Sequence, residues 1–266
     1  MIDIQQQKDT REIPLQKVGV KNLSYPVTVL DKVHGTQATT AEIDLFVNLP
    51  HDYKGTHMSR FIEIFHKYHS DLGMVRFLEM LEEVRVTLDA ERAYCTMSFP
   101  FFIEKKAPVT GAPGIMRYEC TYEGEVSSSH RDFFVSIGIP VTTVCPCSKA
   151  ISERGAHNQR GLVKVRLQNS GMFWIEDVIS AVEGASSCGL YSALKRPDEK
   201  FVTEHAYDNP RFVEDIVRET YLALKSFPSA KPFDYFSVEC TNFESIHNHN
   251  AYAFTEWKPS QNSAGV

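Results

Sequence analysis

The chain reads as an α+β protein in which a ββααββ order occurs twice, each half giving an antiparallel sheet with helices on one face. Three observations carry this reading. Apolar and polar residues alternate over strand-length runs, these runs come in pairs, and helical periodicity fills the space between pairs.

In the first half, strand-like runs cover 24–32 and 39–49, and the second alternates cleanly with Ala41, Ile43, Leu45 and Val47 on one face. Two helical patterns follow. Met58, Phe61, Ile62 and Phe65 have i, i+3, i+4, i+7 spacing, and Met74, Phe77, Leu78, Leu81 and Val84 make a second stripe after Gly73. Strand-like runs at 93–106 and 114–127 close this half. The polar stretch Ser127-Ser128-Ser129-His130 then breaks the pattern and marks a module boundary.

The second half repeats the order. Strands read at 132–145 and 160–168, and a helix begins near Phe173 with Ile175, Val178, Ile179 and Val182 on its stripe. A second helix runs over about 210–226, with Asn209-Pro210 as its start signal. Strands at 233–242 and 250–257 finish the half. The expected organisation is a flexible arm at 1–20, a first module at 21–128, a second at 129–258 and a flexible tail at 259–266. The uncovered sheet face and the open edges of each half call for another surface, so oligomerisation is expected.

Composition narrows the function classes. The 266 residues can bury a substantial core, with 42% hydrophobic and 23% charged residues. A net charge of -6 does not favour nucleic acid, no run is long and apolar enough to span a membrane, and the N-terminus lacks the order of a signal peptide. A cytoplasmic protein is expected. Six cysteines in such a chain read as thiols rather than disulfides, with Cys95, Cys120 and Cys240 as small hydrophobes inside strands.

The chemistry concentrates in the second half. Val144-Cys145-Pro146-Cys147-Ser148-Lys149 is followed by Gly155-Ala156-His157-Asn158-Gln159-Arg160, so a thiol and an imidazole ten positions apart can meet across a hairpin. Thr203-Glu204-His205, read as a loop between helices, and Glu244-Ser245-Ile246-His247-Asn248-His249-Asn250 add carboxylate and imidazole donors. On an extended chain His247 and His249 point one way and Glu244 the other. Cys, His and Glu together suit a borderline metal with room for a water. The competing reading, a structural zinc knuckle using Cys145 and Cys147, lacks a second paired motif. Glu219 sits at the edge of the stripe Val213, Ile216, Val217, Thr220 and Leu224, where a carboxylate can accept from the N1–H and 2-amino pair of a guanine edge. Basic and hydroxyl groups lie at Ser148, Lys149, Arg154 and Arg160. Thr56-His57-Met58-Ser59-Arg60 opens a helix, a setting that suits phosphate.

These motifs together resemble the prokaryotic GTP cyclohydrolase IB family, over essentially the whole chain. The resemblance implies the tunnelling fold, with two ββααββ modules per chain and a homotetramer whose active sites lie at subunit interfaces. It implies hydrolysis of GTP to 7,8-dihydroneopterin triphosphate and formate, the first step toward tetrahydrofolate. Its metal, zinc or manganese and by extension iron, would be held by Cys147, His157, Glu204 and His249, with His247 as the rival to His249. Glu219 would anchor the guanine, and Lys149, Arg160, His57, Ser59 and Arg60 would complete the substrate site. His157 or a released Cys147 thiol would supply the acid that protonates the opening imidazole ring. Two other readings stand beside this one. A nitrile reductase of the queuosine pathway shares the fold, but its Glu-Ser/Leu-Lys-Ser/Ala-x-Lys motif is absent. A non-catalytic metal-stabilised purine or pterin scaffold would release no formate.

Overall fold

The computed structural model describes residues 9–259, so residues 1–8 of the expected arm and 260–266 of the expected tail lie outside it. The described chain divides into two compact units. One holds the residues up to Pro100 with Cys120–Val135, and the other holds Phe101–Glu119 with the residues from Ser136 onward.

The first unit is built on β1 (Leu15–Asp31) and β2 (Gly35–Leu49), a long antiparallel hairpin whose register runs from Asp31 opposite Gly35 to Leu15 opposite Leu49. Strand β1 therefore includes residues 15–20, which composition had assigned to an arm. Their side chains run from exposed at Leu15, Gln16 and Lys17 to half-buried at Val18 and Val20 without alternating, which hides the strand, and pairing with β2 makes it. Strand β2 pairs with β3 (Arg92–Lys106), from Val47 opposite Ala93 to Glu42 opposite Ser98. Period-2 alternation turns Ala41, Ile43, Leu45 and Val47 inward with Ala93, Cys95, Met97 and Phe99. Helices α1 (Met58–Tyr68) and α2 (Met74–Thr87) bury Phe61, Ile64 and Phe65, and Phe77, Met80, Leu81 and Val84. Gly124 in β4 (Pro113–Ser127) is required here, because a Cβ would lie 2.7 Å from the Phe77 ring. The boundary expected at residues 128–129 falls in the turn between β4 and β5 (Arg131–Val144), closed by Ser127 N–H donating to the His130 carbonyl.

The second unit continues from β5 through a short helix α3 (Pro146–Ile151), β6 (Asn158–Gln168), α4 (Ile175–Ala185), the two-residue β7 (Cys188–Gly189), α5 (Arg196–Asp208), α6 (Val213–Lys225), β8 (Tyr235–Asn242) and β9 (Ala251–Trp257). Its strands follow the order β3-β4-β5-β6-β8-β9, with β7 on β5. Helix α6 buries Val213, Ile216, Val217, Thr220 and Leu224, the stripe read from the sequence. Its start lies three residues later than Asn209-Pro210. Asn209 instead caps α5, donating from Nδ2 to the His205 carbonyl, and the Asp215 carboxylate accepts from the Phe212 N–H to open α6.

Helix α5 corrects the sequence reading, which left this segment as a loop. Its apolar face is thin, with Val202 and Ala206 packed against Val144 and Cys188, so periodicity alone does not reveal it. A polar anchor holds its start. Asp198, fully buried, accepts from the N–H groups of Val109 (2.9 Å), Thr110 (2.8 Å) and Lys195 (2.9 Å), and from the Thr110 hydroxyl (2.6 Å). Burial acts to raise this carboxyl, but the Thr110 hydroxyl and the three N–H groups outweigh it and hold it well below the usual carboxylate range.

Asp198→Ala strands those buried donors and is expected to lower Tm by about 5 °C or more. An unchanged Tm would mean that water replaces the carboxylate at no cost. The pH dependence has a defined sign. A carboxyl depressed in the folded state stabilises fully above its unfolded value near pH 4, and this contribution is lost as pH falls through the folded value. Asp198→Asn removes that titration, so its acid-unfolding curve should be flatter below about pH 4 than that of the unsubstituted chain.

Candidate active site

The 145–157 segment is a closed loop hung between β5 and β6. The Cys145 N–H donates to the His157 carbonyl at 3.1 Å, which pins the two ends together. Ser148 ties the middle to both. Its hydroxyl donates to the Cys145 carbonyl and accepts from the His157 N–H, each at 3.1 Å. Cys145 occupies the N-cap of α3, with Pro146 next and its Sγ accepting from the Ser148 N–H at 3.4 Å. Gly155, at φ +85°, makes the return turn in a conformation that favours glycine. Cys147 follows Pro146 in α3, with its side chain exposed.

This loop borders a cavity of about 300 Å³ lined by Cys145, His157, Gln159, Arg211, Asn242, Glu244, His247 and His249, among others. The segment 243–250 is irregular rather than extended, so Glu244 lines the same cavity as the two histidines instead of pointing away from them. The His247 and His249 rings stack at 5.0 Å, and His249 Nδ1 lies 3.3 Å from Asn248 Oδ1. Within the cavity wall, His157 Nδ1 lies 3.0 Å from Gln159 Oε1.

The other expected site residues are placed differently. Glu204 is on α5, not in a loop. Helical geometry sets it two residues from both Val202 and Ala206, so it faces solvent, where Lys200 pairs with it at 3.8 Å. Glu219 is half exposed on α6, and its Oε1 lies 3.6 Å from Arg211 Nη1. Lys149 donates to the Tyr207 carbonyl and lies over that ring at 4.2 Å. Arg160 is exposed on β6, on the face opposite Gln159. In the first unit, His57 and Arg60 line a separate cavity of about 380 Å³ with Asp52, Tyr53, Thr56 and Asp89, and Ser59 is exposed one residue before Arg60.

Of the four expected metal ligands, His157 and His249 share a cavity, while Cys147 and Glu204 do not line it. Among the described residues, no three His, Cys, Asp or Glu side chains converge closely enough to hold an ion. The donor chemistry nonetheless fits a metal. An exposed thiol, an imidazole whose Nδ1 is already engaged, and further imidazole and carboxylate groups are the ligand types of a mixed site. The thiols expected to be packing residues, Cys95, Cys120 and Cys240, are buried, and burial pushes Cys240 up to about 12 and raises Cys95 as well. Sequence reasoning missed Gln159, Arg211 and Asn242 as cavity residues. The two-residue step from His157, just before β6, to Gln159 was the available signal, since an extended chain turns residues two apart the same way.

The chain is similar to known proteins over nearly its whole length. The family model described as type I GTP cyclohydrolase FolE2 matches residues 1–253. GTP cyclohydrolase FolE2 of Syntrophotalea carbinolica is 51% identical over 264 residues, covering 99% of this chain and 98% of the relative. That of Geobacter sulfurreducens is 50% identical over 256 residues, covering 96% and 98%. Among solved structures, uricase from Arthrobacter globiformis matches with a TM-score of 0.51 at 8% identity, over 94% of this chain and 96% of its own. A uricase from Bacillus fastidious gives 0.51 and 8%, over 94% and 97%. The likeness to the uricases is one of fold, the α+β tunnelling fold.

Proposed function

The chain belongs to the family of type I GTP cyclohydrolases described as FolE2, and we propose that Cys147, His157, Glu204 and His249 hold the divalent metal of its active site. The reaction is that of GTP cyclohydrolase I, of type IB: GTP is hydrolysed to 7,8-dihydroneopterin triphosphate and formate, in folate biosynthesis. The family is metal-dependent. One thiolate among imidazole and carboxylate donors suits zinc and manganese, and iron as well.

A divalent metal held by these residues would supply Lewis acidity, which would make water nucleophilic enough near neutral pH to attack C8 of the purine. The residues do the rest. His157 lines the cavity, and with Nδ1 held by Gln159 its Nε2 is the ring nitrogen left for the metal. The Cys147 thiol, when released from the metal, protonates the imidazole nitrogen of the substrate as the ring opens, because His157 with Nε2 on the metal and Nδ1–H on Gln159 has no free proton to give. Glu219 accepts from the guanine N1–H and 2-amino group. Lys149 and Arg160 of one copy, with His57, Ser59 and Arg60 at the start of α1 of another copy, meet the triphosphate. For Lys149 this means exchanging the Tyr207 carbonyl for a phosphate oxygen. Four copies assemble, with active sites at subunit interfaces.

The observation that carries this reading is the cavity bringing His157 and His249 together beside the Cys-Pro-Cys loop. Metal-loaded protein with GTP is expected to release formate and a pterin that fluoresces after oxidation. No pterin with zinc, manganese or iron present would sink it. Formate release also separates hydrolysis from nitrile reduction and from a non-catalytic scaffold. No helix among the described residues is long and apolar enough to cross a membrane.

A further inference from the structure

We propose that Gln159, held by Thr143, is a positioning residue that fixes the ring tautomer of His157 so that its Nε2 is open to the metal. The proposal rests on the reading of His157 as a ligand. It starts from three side chains in sequence across adjacent strands. Thr143 on β5 is fully buried, and its Oγ1 accepts from Gln159 Nε2 at 2.8 Å. Gln159 on β6 is buried and turns its Oε1 to His157 Nδ1 at 3.0 Å. A carbonyl oxygen can only accept, so the proton of the neutral ring sits on Nδ1. Nε2 then keeps its lone pair, the form a metal requires.

The amide orientation is therefore the deciding feature. With the amide reversed, its N–H would donate to Nδ1, the ring proton would move to Nε2, and that nitrogen would be closed to a metal. Gln159 has little freedom to adapt, because it is packed inside the sheet. The backbone of His157 has little either, since Ser148 holds its N–H and Cys145 its carbonyl. A ring fixed at both ends suits a ligand that must not swing when substrate arrives. Thr143 makes no contact with the metal in this scheme; its buried hydroxyl accepts from Gln159 Nε2 and anchors the far end of the amide.

Two measurements on the full-length protein test this. Magic-angle-spinning NMR of metal-free protein labelled with 15N-histidine reads the tautomer, with the His157 signals assigned by their absence in His157→Ala. A protonated Nδ1 and an unprotonated Nε2 are expected, and the reverse overturns the proposal. Zinc affinity is then measured by competition with a chromogenic chelator. Gln159→Leu should weaken it by roughly 10–100-fold, the range for outer-shell partners of a ligating histidine. Thr143→Val should weaken it less and give mixed tautomer signals, while Gln159→Glu and Thr143→Ser keep an acceptor on Nδ1 and retain affinity. Unchanged zinc affinity in both Gln159→Leu and Thr143→Val, with His157→Ala impaired, would refute a positioning role and leave His157 as a ligand. Wild-type zinc affinity in His157→Ala would overturn the ligand assignment itself, and the proposal with it. If Gln159→Leu does not fold, the tautomer measurement on the unsubstituted chain still decides.

Discussion

Cys147→Ala should reduce GTP turnover to background, whereas Cys145→Ala should leave much of it. The two thiols are two residues apart and do different things. Cys145 is the N-cap of α3, and its Sγ accepts one sulfur hydrogen bond from the Ser148 N–H. The loop has other ties that do not involve this thiol, namely the Cys145 N–H to the His157 carbonyl and the Ser148 hydroxyl bonds. Losing the cap should therefore cost about 1 kcal/mol of local stability and little chemistry. Cys147 carries an exposed thiol, free of packing constraints and available to a metal. Its removal takes away the soft donor of the proposed set, so the effect should exceed the roughly 10–100-fold typical of outer-shell changes. Zinc content measured beside formate release makes the comparison sharp. Equal loss in the two variants would favour a structural site built from both thiols, even though Cys145 is the one that lines the cavity.

The sequence was most readable where one face of an element is buried and the other is wet. Strand β2 and helix α6 follow their expected stripes residue by residue, because period 2 and period 3.6 survive intact in half-buried elements. Elements held by polar anchors were hidden. Helix α5 depends on the buried Asp198 carboxylate at its start and on a short contact by Val202 and Ala206, neither of which makes an apolar repeat. The N-terminal part of β1 has partly exposed side chains that do not alternate, and only its partner strand reveals it. The site shows the same division. The histidines and cysteines announce themselves by chemical type, but their supports do not. Gln159 looks like any polar strand residue until Thr143 and His157 appear on either side of it. Arg211 looks like a charge following a proline, yet its backbone N–H donates to the Val144 carbonyl and the residue lines the cavity.

That arginine sharpens the expectation for Glu219. Its Nη1 pairs with Glu219 Oε1 at 3.6 Å, and its buried Nε has no hydrogen-bond partner among the described residues. Glu219 thus stands next to a cavity residue without lining the cavity itself. If this carboxylate holds the guanine edge, Glu219→Gln replaces an acceptor-only group with an amide that must turn one N–H toward a ligand N–H. Losing a charged hydrogen bond costs about 1.5–3 kcal/mol, or roughly ten- to a hundred-fold in kcat/KM. Stability should hardly change, because a half-exposed ion pair contributes only about 0–1 kcal/mol. A fall in kcat/KM with an unchanged Tm is therefore the expected signature. Inosine triphosphate adds a second readout. It lacks the 2-amino group, so the unsubstituted enzyme should prefer GTP over it, and Glu219→Gln should narrow that preference as its acceptor is lost. Wild-type kinetics with the preference intact would return Glu219 to the solvated surface of α6, where its partner is Arg211 alone.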